Sequence, residues 1–469
     1  MKKYIYLFLL QTVLLINSAC EQDLNTYPED QFTTGNFYQN ANDMEAAVNA
    51  AYGGLQKEGL YGYNYHILME TRSDNTFEEE PSNSGGYGDI DLFNRVTTNE
   101  VIKQTWIDSY VTIQATNIVL NRIDGIEDMD EDTKNIKKGE VKFIRALVYY
   151  NLINIYGPVP LVTVETKNPN DYFGQNRTEV SDILVQIIED LKDASEYLPQ
   201  INGKERATKG AANTLLGKVY LFQGDAAKAE AVLREVIGEY TLVNNYSELF
   251  GIENENGPAS IFEVQFESNV NGDTEGSTFA ALFTSQANSG SRGNNIIHQN
   301  LIDSFESGDV RRDEIISDVA NENLNISTKY LDENRTGSND GANNVIVLRY
   351  ADVLLSLAEA LNAQQFAADG EAFGLINSIR ERAKLPSFMS EEITNQAVFQ
   401  EMLLRERRHE FFHELHRWFD LKRLGNPVQV MNAHFVTIGK EIDEDDLLLP
   451  VPQIQMDSDP SAMTQNPGY

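Results

Sequence analysis

Cysteine is almost absent from this sequence, since Cys20 is the only one in 469 residues. A single cysteine can form neither an intrachain disulfide nor a cysteine-based metal site. Packing of apolar side chains must therefore hold the fold together, and hydrophobic residues make up 41% of the chain and aromatic residues 10%. This composition is typical of a globular protein that is large enough to bury a substantial core.

Positive charge is also scarce. The chain has 37 Lys and Arg residues against 72 Asp and Glu residues, and its formal net charge is −35. Such a field repels nucleic acid and anionic membrane surfaces, so both are disfavoured as partners. Long apolar runs are missing after the N-terminal stretch, so no later segment is expected to span a membrane.

The first twenty residues do contain an apolar run, and their pattern is that of a bacterial lipoprotein signal. Lys2 and Lys3 precede the run 4–16, which is too short to cross a bilayer comfortably. Two small residues then stand directly before Cys20, whose thiol we expect to be acylated after cleavage. Asn17 departs from a strict lipobox, which has an aliphatic residue or Ala there, and a short membrane anchor or a plain secretory signal are the alternatives.

Helical periodicity dominates the first half and the end of the chain. Apolar residues recur at helical spacing from Gly139 to Tyr156, and Gly157-Pro158 ends that run. The same pattern predicts helices at Ala41–Leu55, Glu100–Ile123, Val180–Leu198, Lys209–Gln223, Ala226–Glu239, Tyr350–Ala363, Gly370–Ala383 and Ala397–Leu424. Strand signals are few and short, at Ile261–Phe266 and Val345–Leu348.

One stretch has the spacing of a tetratricopeptide helix pair. Leu216-Gly217-x-x-Tyr220 is followed by Gly224 and Ala229, so small residues allow two antiparallel helices to approach closely. Residues 350–383 look like a degraded second copy. Between residues 241 and 344 the composition shifts to Asn, Gly, Ser and Asp, which predicts long loops carried on a helical scaffold.

Two motifs suggest metal binding. His409-Glu410-x-x-His413 matches the zinc-peptidase motif, in which two imidazoles at i and i+4 bind zinc and the glutamate acts as general base. The extended motif would need Gly and His at positions that hold His416 and Phe419, and the competing interpretation is a charged helix rich in ion pairs. Residues 128–132 resemble the start of a calcium loop but lack its glycine and its bidentate glutamate, which favours a solvated acidic connection.

Aromatic residues in polar, glycine-rich surroundings predict a different kind of site. Tyrosines alternate in the stretch GLYGYNYH, and Asp, Asn and further aromatic residues follow. Sugar C–H faces stack on aromatic rings while sugar hydroxyls form hydrogen bonds, so this composition suits a saccharide. The competing interpretation is that several of these rings belong to the core. The predicted ligand-binding residues are Tyr65, Asp74, Asn75, Tyr87, Phe93 and Arg292.

An ordered set of motifs resembles the SusD/RagB family of outer-membrane nutrient-binding lipoproteins. The set begins with Leu24-Asn25-x-x-Pro28 after the cysteine and continues with Glu140-x-x-Phe143-x-Arg145-Ala146 and Tyr156-Gly157-Pro158-Val159-Pro160. Leu348-Arg349-Tyr350-Ala351-Asp352, then Arg407-Arg408-x-Glu410-Phe411-x-x-Glu414-x-x-Arg417-Trp418-x-Asp420, and finally Thr464-Gln465-Asn466-Pro467-Gly468-Tyr469 complete it. In this resemblance His409 and His413 fall on variable positions, whereas Glu410 and Glu414 fall on family positions.

The resemblance implies an all-α fold, an irregular superhelix of tetratricopeptide-like pairs with loop-rich insertions. It also implies a lipid-anchored protein on the outer face of the outer membrane that binds oligosaccharides, or in some branches peptides. Such proteins deliver the ligand to a TonB-dependent transporter, on which this chain would open like a lid about residues 21–31.

We therefore expect residues 1–19 to be a signal peptide and residues 20–469 a single nutrient-binding domain, with its insertion at about 241–344. The expected function is glycan binding without catalysis, cofactor or metal. The alternatives are a zinc metallopeptidase that uses His409 and His413, and a helical-repeat scaffold that only assembles partners.

Overall fold

A computed structural model describes residues 37–82, 85–168, 170–203, 205–270, 273–283, 291–319, 324–332, 334–335 and 337–469. The expected signal peptide, Cys20 and the expected hinge at 21–31 lie outside these residues. No helix within the described ranges is both long enough and apolar enough to cross a membrane.

Helices of four or more turns form most of the first half. In chain order the helices are α1 (Ala41–Leu55), α2 (Asn64–His66), α3 (Tyr87–Asp91), α4 (Glu100–Arg122), α5 (Glu131–Tyr156), α6 (Val180–Tyr197), α7 (Lys209–Gln223) and α8 (Ala226–Arg234). A π-helical turn at Ile67–Thr71 follows α2. The bounds of α1 and α7 are those predicted, and α8 ends earlier than expected.

Side chains before the helices and glycines after them explain these limits. The first N–H groups of a helix have no partner inside it, and Asn40, Asn99 and Asp130 accept hydrogen bonds from such groups in α1, α4 and α5. Gly157 and Gly224 have positive φ angles of 72° and 81° directly after α5 and α7. Glycine adopts this conformation without a steric penalty, so both helices end there.

Consecutive helices pack in pairs, α5 against α6, α6 against α7 and α7 against α8. Helices α7 and α8 approach closely at Gly217, where an added Cβ would stand 2.6 Å from Leu233 of α8. Tyr220 and Ala229 are buried beside it. The predicted tetratricopeptide-like pair is thereby confirmed.

Shorter helices fill the second half. They are α9 (Phe279–Leu282), α10 (Gln299–Ser304), α11 (Val310–Ile315), α12 (Tyr350–Gln364), α13 (Glu371–Arg382), α14 (Gln396–Phe411), α15 (Arg417–Leu424), α16 (Pro427–His434) and α17 (Gln453–Ser458). Helices α12 and α13 pack together as the second, degraded pair. The expected single helix Ala397–Leu424 is wrong, because residues 412–416 separate α14 from α15.

Three small antiparallel sheets lie among these helices. Strands β2 (Ser260–Val264) and β8 (Val345–Arg349) pair with Phe262 opposite Leu348. A four-stranded sheet has the order β1 (Thr76–Phe77), β5 (Ile296–Ile297), β7 (Leu324–Ser327), β6 (Ile316–Val319), and β3 (Glu267–Val270) pairs with β4 (Asp273–Glu275). The segment 241–344 is thus built of short elements as well as loops, and its status as an insertion in one domain stays a prediction.

Buried ion pairs cross the apolar core and explain the break between α14 and α15. Arg349, at the end of β8, pairs with Glu410 and, at 2.6 Å, with Glu414. Arg407 pairs with Asp420 of α15 at 2.8 Å, and both are almost fully buried. Since removal of one partner would leave a buried charge without compensation, these pairs fix the turn 412–416 in place.

Candidate ligand-binding surface

The structure separates the six predicted ligand residues into a buried group and an accessible group. Tyr65, Asp74, Asn75 and Phe93 are at most 6% exposed. Tyr87 and Arg292 are half-buried and lie near one another. The choice of these six residues as a site stays a prediction, but the two groups have different surroundings.

The buried rings pack against other aromatic side chains. Tyr65 contacts the ring of Tyr61 edge to face with centroids 5.0 Å apart. Phe93 packs against Trp418 at 5.4 Å, and the guanidinium of Arg72 lies 4.7 Å from the Phe93 centroid and 5.1 Å from that of Trp418. Neither ring presents an open face on which a ligand could stack in this structure.

The buried polar residues fasten the segment 72–76 to the C-terminal helices. Asp74 accepts hydrogen bonds from Arg417 at 2.7 and 2.9 Å and pairs with Arg408 at 3.1 Å. Burial alone would raise the pKa of Asp74, but the two guanidinium groups hold that pKa well below its usual range. Asn75 accepts a hydrogen bond from Arg408 at 2.8 Å and donates one to Glu70 at 2.8 Å. Both side chains are thus used in internal contacts.

Tyr87 and Arg292 meet around Tyr63. Tyr87 is the first residue of α3, its ring centroid is 5.1 Å from that of Tyr63, and Gly86 before it has a φ of 105°. The guanidinium carbon of Arg292 stands 5.1 Å from the Tyr63 centroid. The Arg292 guanidinium also donates a hydrogen bond to the side chain of Asn339. Two distant loops therefore converge on one buried tyrosine.

Residues that the sequence analysis did not select hold this arrangement together. The Tyr63 hydroxyl donates to Asn294, whose amide donates to Glu78 at 2.6 Å. Burial raises the pKa of Glu78 to about 7 and that of its neighbour Asp91 to about 8, and Asp91 accepts a hydrogen bond from the Glu78 backbone N–H at 3.1 Å. Tyr63 stands in the alternating tyrosine stretch and Asn294 in the polar loop, the two regions from which the predicted residues come. We call Tyr63, Glu78, Tyr87, Arg292, Asn294 and Asn339 the Tyr87 surface.

The zinc-peptidase interpretation is wrong, because the two histidines are not on one helical face. Helix α14 ends at Phe411, and His413 has a φ of 62°. His409 is hydrogen-bonded to Ser304 at 2.9 Å, whereas His413 donates to the Asn295 carbonyl at 3.1 Å. The intervening glutamate is held in ion pairs by three arginines, Arg311, Arg349 and Arg382.

Metal binding has no other support in the described part of the chain. Within those ranges, His, Cys, Asp and Glu side chains form no group of three or more that could hold a metal ion. In the stretch that resembles a calcium loop, Asp130 caps α5 and Asp128 accepts a hydrogen bond from the Ala41 N–H at 2.8 Å. The expected acidic connection before a helix is therefore what the structure has.

Comparison with known proteins places most of the chain within one group. Residues 320–469 match the family model described as the SusD family, and residues 25–221 match one described as starch-binding associating with outer membrane. SusD-like protein P2 of Formosa agariphila is 26% identical, and the match covers 100% of both chains.

Solved structures are similar over nearly the whole chain. A laminarin-binding SusD-like protein has 26% identity and a TM-score of 0.78, covering 92% of this chain and 100% of the other. A SusD superfamily protein from Parabacteroides distasonis has 26% identity and a TM-score of 0.80, covering 94% and 100%. The helical superhelix predicted from the sequence is confirmed by these similarities and by the helices described above.

Proposed function

This chain belongs to the SusD/RagB family, and from that premise we propose that it binds oligosaccharides at the cell surface and delivers them to a TonB-dependent outer-membrane transporter, without a catalytic step of its own. The observation that carries the proposal is the Tyr87 surface, where a half-exposed tyrosine and an arginine converge on a buried tyrosine. The laminarin-binding protein among the similar structures supports a glycan as ligand.

The chemistry of the Tyr87 surface suits a sugar. The Tyr87 ring offers an apolar face for the C–H groups of a pyranose, and the Arg292 guanidinium and the Asn339 amide lie beside it as hydrogen-bonding groups for hydroxyls. The net charge of −35 opposes a polyanionic ligand. We therefore propose a neutral glycan.

Location and partner follow from the same family membership. We propose that acylation of Cys20 anchors the chain in the outer membrane, facing the exterior, and that its transporter partner lies beneath it. One of the two matching family models is described as associating with the outer membrane, which supports this location.

Alanine variants test the site. Tyr87→Ala and Arg292→Ala should weaken glycan binding, with a loss of about 5-fold to 150-fold for the ring by analogy with stacked bases. Calorimetry with laminarin oligosaccharides and a panel of other neutral oligosaccharides measures this loss. Tyr197→Ala, which removes a half-buried tyrosine from α6, is the matched control and should leave affinity unchanged.

The melting temperature shows whether a loss of affinity comes from the binding site or from a destabilised fold. It should stay the same in both site variants, because Tyr87 and Arg292 are only half-buried. Wild-type affinity in both variants would move the site elsewhere. Binding of peptides but not of sugars by the wild-type protein would contradict the glycan proposal and identify peptides as the ligand class.

Fractionation and co-purification test the tether and the partner. In a host that processes lipoproteins, Cys20→Ala should abolish acylation and release the protein from the membrane fraction, while ligand affinity of the folded domain is retained. Mild detergent extraction from the native host should recover a transporter barrel with the wild-type protein. An unacylated wild-type protein, or extraction without any barrel, would contradict the respective proposal.

A further inference from the structure

A second cleft lies on the molecule, apart from the residues of the Tyr87 surface. It has a volume of about 310 Å³ and lies between α4, the connection 158–178 and the segment 455–463. Trp106, Tyr110 and Gln114 follow one another at intervals of four residues on one face of α4 and form one wall. Phe173, Gln175 and Asp459 stand among the residues of the other walls. We call it the Trp106 cleft.

The aromatic rings of this cleft are held in fixed positions. Trp106 is 4% exposed, and its ring centroid is 5.3 Å from that of Tyr110. The Tyr110 hydroxyl donates to the Pro160 carbonyl at 2.7 Å. Phe173 is 67% exposed, yet its backbone is fastened because the N–H of Gly174 donates to the buried Asp459 carboxylate. The exposed Phe173 ring and the aromatic wall of α4 line the same cleft, and contiguous apolar surface of this kind marks ligand-binding grooves.

One polar group in the cleft has no partner. The side-chain N–H of Gln175 donates to the Leu161 carbonyl at 3.1 Å, whereas its Oε1 is buried without a hydrogen bond. Gln114, by contrast, uses both ends of its amide with the backbone of Thr166, at 2.9 Å each. A buried acceptor without a donor costs free energy. A ligand hydroxyl that donates a hydrogen bond to the Gln175 Oε1 would remove this cost, and the ligand would bind more tightly for it.

The charge of the walls narrows the ligand class. None of the described residues that line the cleft is Lys or Arg, and Asp459 contributes a carboxylate. An anionic ligand would meet no compensating charge there. A purely apolar protein segment would leave the Gln175 oxygen unpaired. A neutral ligand with both C–H faces and hydroxyls satisfies the rings and the acceptor together.

We propose that the Trp106 cleft is a second binding site for a neutral glycosyl unit, with the exposed Phe173 ring as the stacking platform and Gln175 as the hydroxyl acceptor. This inference rests on the proposed glycan-binding function and adds a site to it.

Helix α4 connects the surroundings of the two sites. Helix α4 begins beside the Tyr87 surface, because the Asn99 amide donates to the Gly86 carbonyl at 2.8 Å. At about 1.5 Å per residue, Trp106 and Gln114 lie roughly 10 and 22 Å further along the helix axis. A long oligosaccharide that occupies both sites would bind more tightly than a short one, since the second contact is then intramolecular.

Substitutions at Phe173 test the inference. Phe173→Ala should weaken binding of the neutral oligosaccharide panel by about 5-fold to 150-fold, while Phe173→Tyr retains the ring and the affinity. Val185→Ala removes another exposed apolar side chain, 63% exposed on α6, and serves as matched control. The exposure of Phe173 means that the alanine variant should fold with an unchanged melting temperature. A crystal soaked with the oligosaccharide that binds most tightly should show a sugar ring in the cleft.

The outcomes separate this inference from the function on which it rests. Binding that Tyr87→Ala weakens but Phe173→Ala leaves unchanged would overturn the second site and leave the proposed function standing. Absence of all oligosaccharide binding in the wild-type protein would overturn both. Loss of the transporter complex in Phe173→Ala with intact sugar affinity would identify the cleft as a protein contact and overturn the inference alone.

Discussion

At the scale of single residues, the exposure of an aromatic ring determines whether it stabilises the core or can contact a ligand. Phe93 is 6% exposed and lies in a cluster with Trp418 and Phe435. Phe93→Ala should therefore lower the free energy of unfolding by about 3 to 5 kcal/mol, as core Phe-to-Ala changes do. Urea unfolding measures this. Tyr87→Ala is the comparison, and equal effects of the two substitutions would contradict the division into buried and accessible groups.

Asp74 gives a second test at this scale, because its carboxylate neutralises two arginines. Asp74→Ala should destabilise the protein by about 3 to 5 kcal/mol, since it leaves the buried Arg417 without its partner. Glu371→Ala is the control, because the Arg234–Glu371 pair has the same 2.7 Å distance but is about half exposed and should contribute at most about 1 kcal/mol. A stable Asp74→Ala protein that has lost sugar binding would restore Asp74 as a ligand residue.

The sequence patterns contain residues of the proposed Tyr87 surface, but they do not separate accessible residues from buried ones. Tyr63 and Tyr65 stand two positions apart in one polar stretch, yet Tyr63 faces Tyr87 and Arg292 while Tyr65 packs on Tyr61. Their alternation fits an extended strand, whereas the structure has a short helix and a π-helical turn there. Which of the two buried rings contacts Tyr87 and Arg292 depends on that turn, and no local sequence pattern predicts the turn.

At the scale of elements, the close contact between α7 and α8 depends on the absence of a side chain at Gly217. Gly217→Ala should destabilise the protein by about 1 to 3 kcal/mol, because the new Cβ would collide with Leu233. Gly374→Ala in α13 is the matched control, since its Cβ would meet nothing within 4 Å. That substitution should stabilise the protein by about 0.5 to 1 kcal/mol, as alanine is the better helix former. Thermal unfolding compares the two, and a shift of the same sign in both would contradict the close packing.

The long helices could be predicted because their signals are local, whereas the break between α14 and α15 could not. Residues 397–424 have helical composition throughout. Nevertheless His413 and Leu415 have positive φ angles of 62° and 67°, which are uncommon for residues other than glycine. The ion pairs of Glu410 and Glu414 with Arg349, about sixty residues earlier, hold the turn. Hydrophobic periodicity depends only on neighbouring residues, so it cannot predict ion pairs between distant parts of the chain.

At the scale of the whole molecule, acid should destabilise the fold. Burial lowers the pKa of all six histidines below that of a free imidazole side chain: His66, His298, His409, His413, His416 and His434. As pH falls below about 6.5 the unfolded chain takes up protons that the folded chain cannot, so stability is present above this pH and is lost below it.

Buried carboxyls oppose this effect only in part. Burial raises the pKa of Glu70, Glu78 and Glu255 to about 7 and that of Asp91 to about 8, so in the folded state these four take up protons before the unfolded chain does. Burial also raises the pKa of Glu263, and six histidines against five carboxyls leave a net loss of stability between pH 6.5 and 5. Urea unfolding at several pH values should show this loss of stability. A free energy of unfolding that stays constant or increases as the pH falls from 6.5 to 5 would contradict the prediction.

The bond between Asn466 and the end of α5 has a consequence for the order of folding. The Asn466 amide donates to the Tyr156 carbonyl at 2.9 Å across 310 residues of sequence, and also to Leu449 at 2.6 Å. During synthesis this hydrogen bond to the end of α5 can form only after residue 466 has left the ribosome. Contacts between residues so far apart in sequence also form slowly, because a long loop must close first. The chain therefore cannot complete its fold before residues 449 and 466 are available, however early α5 itself forms.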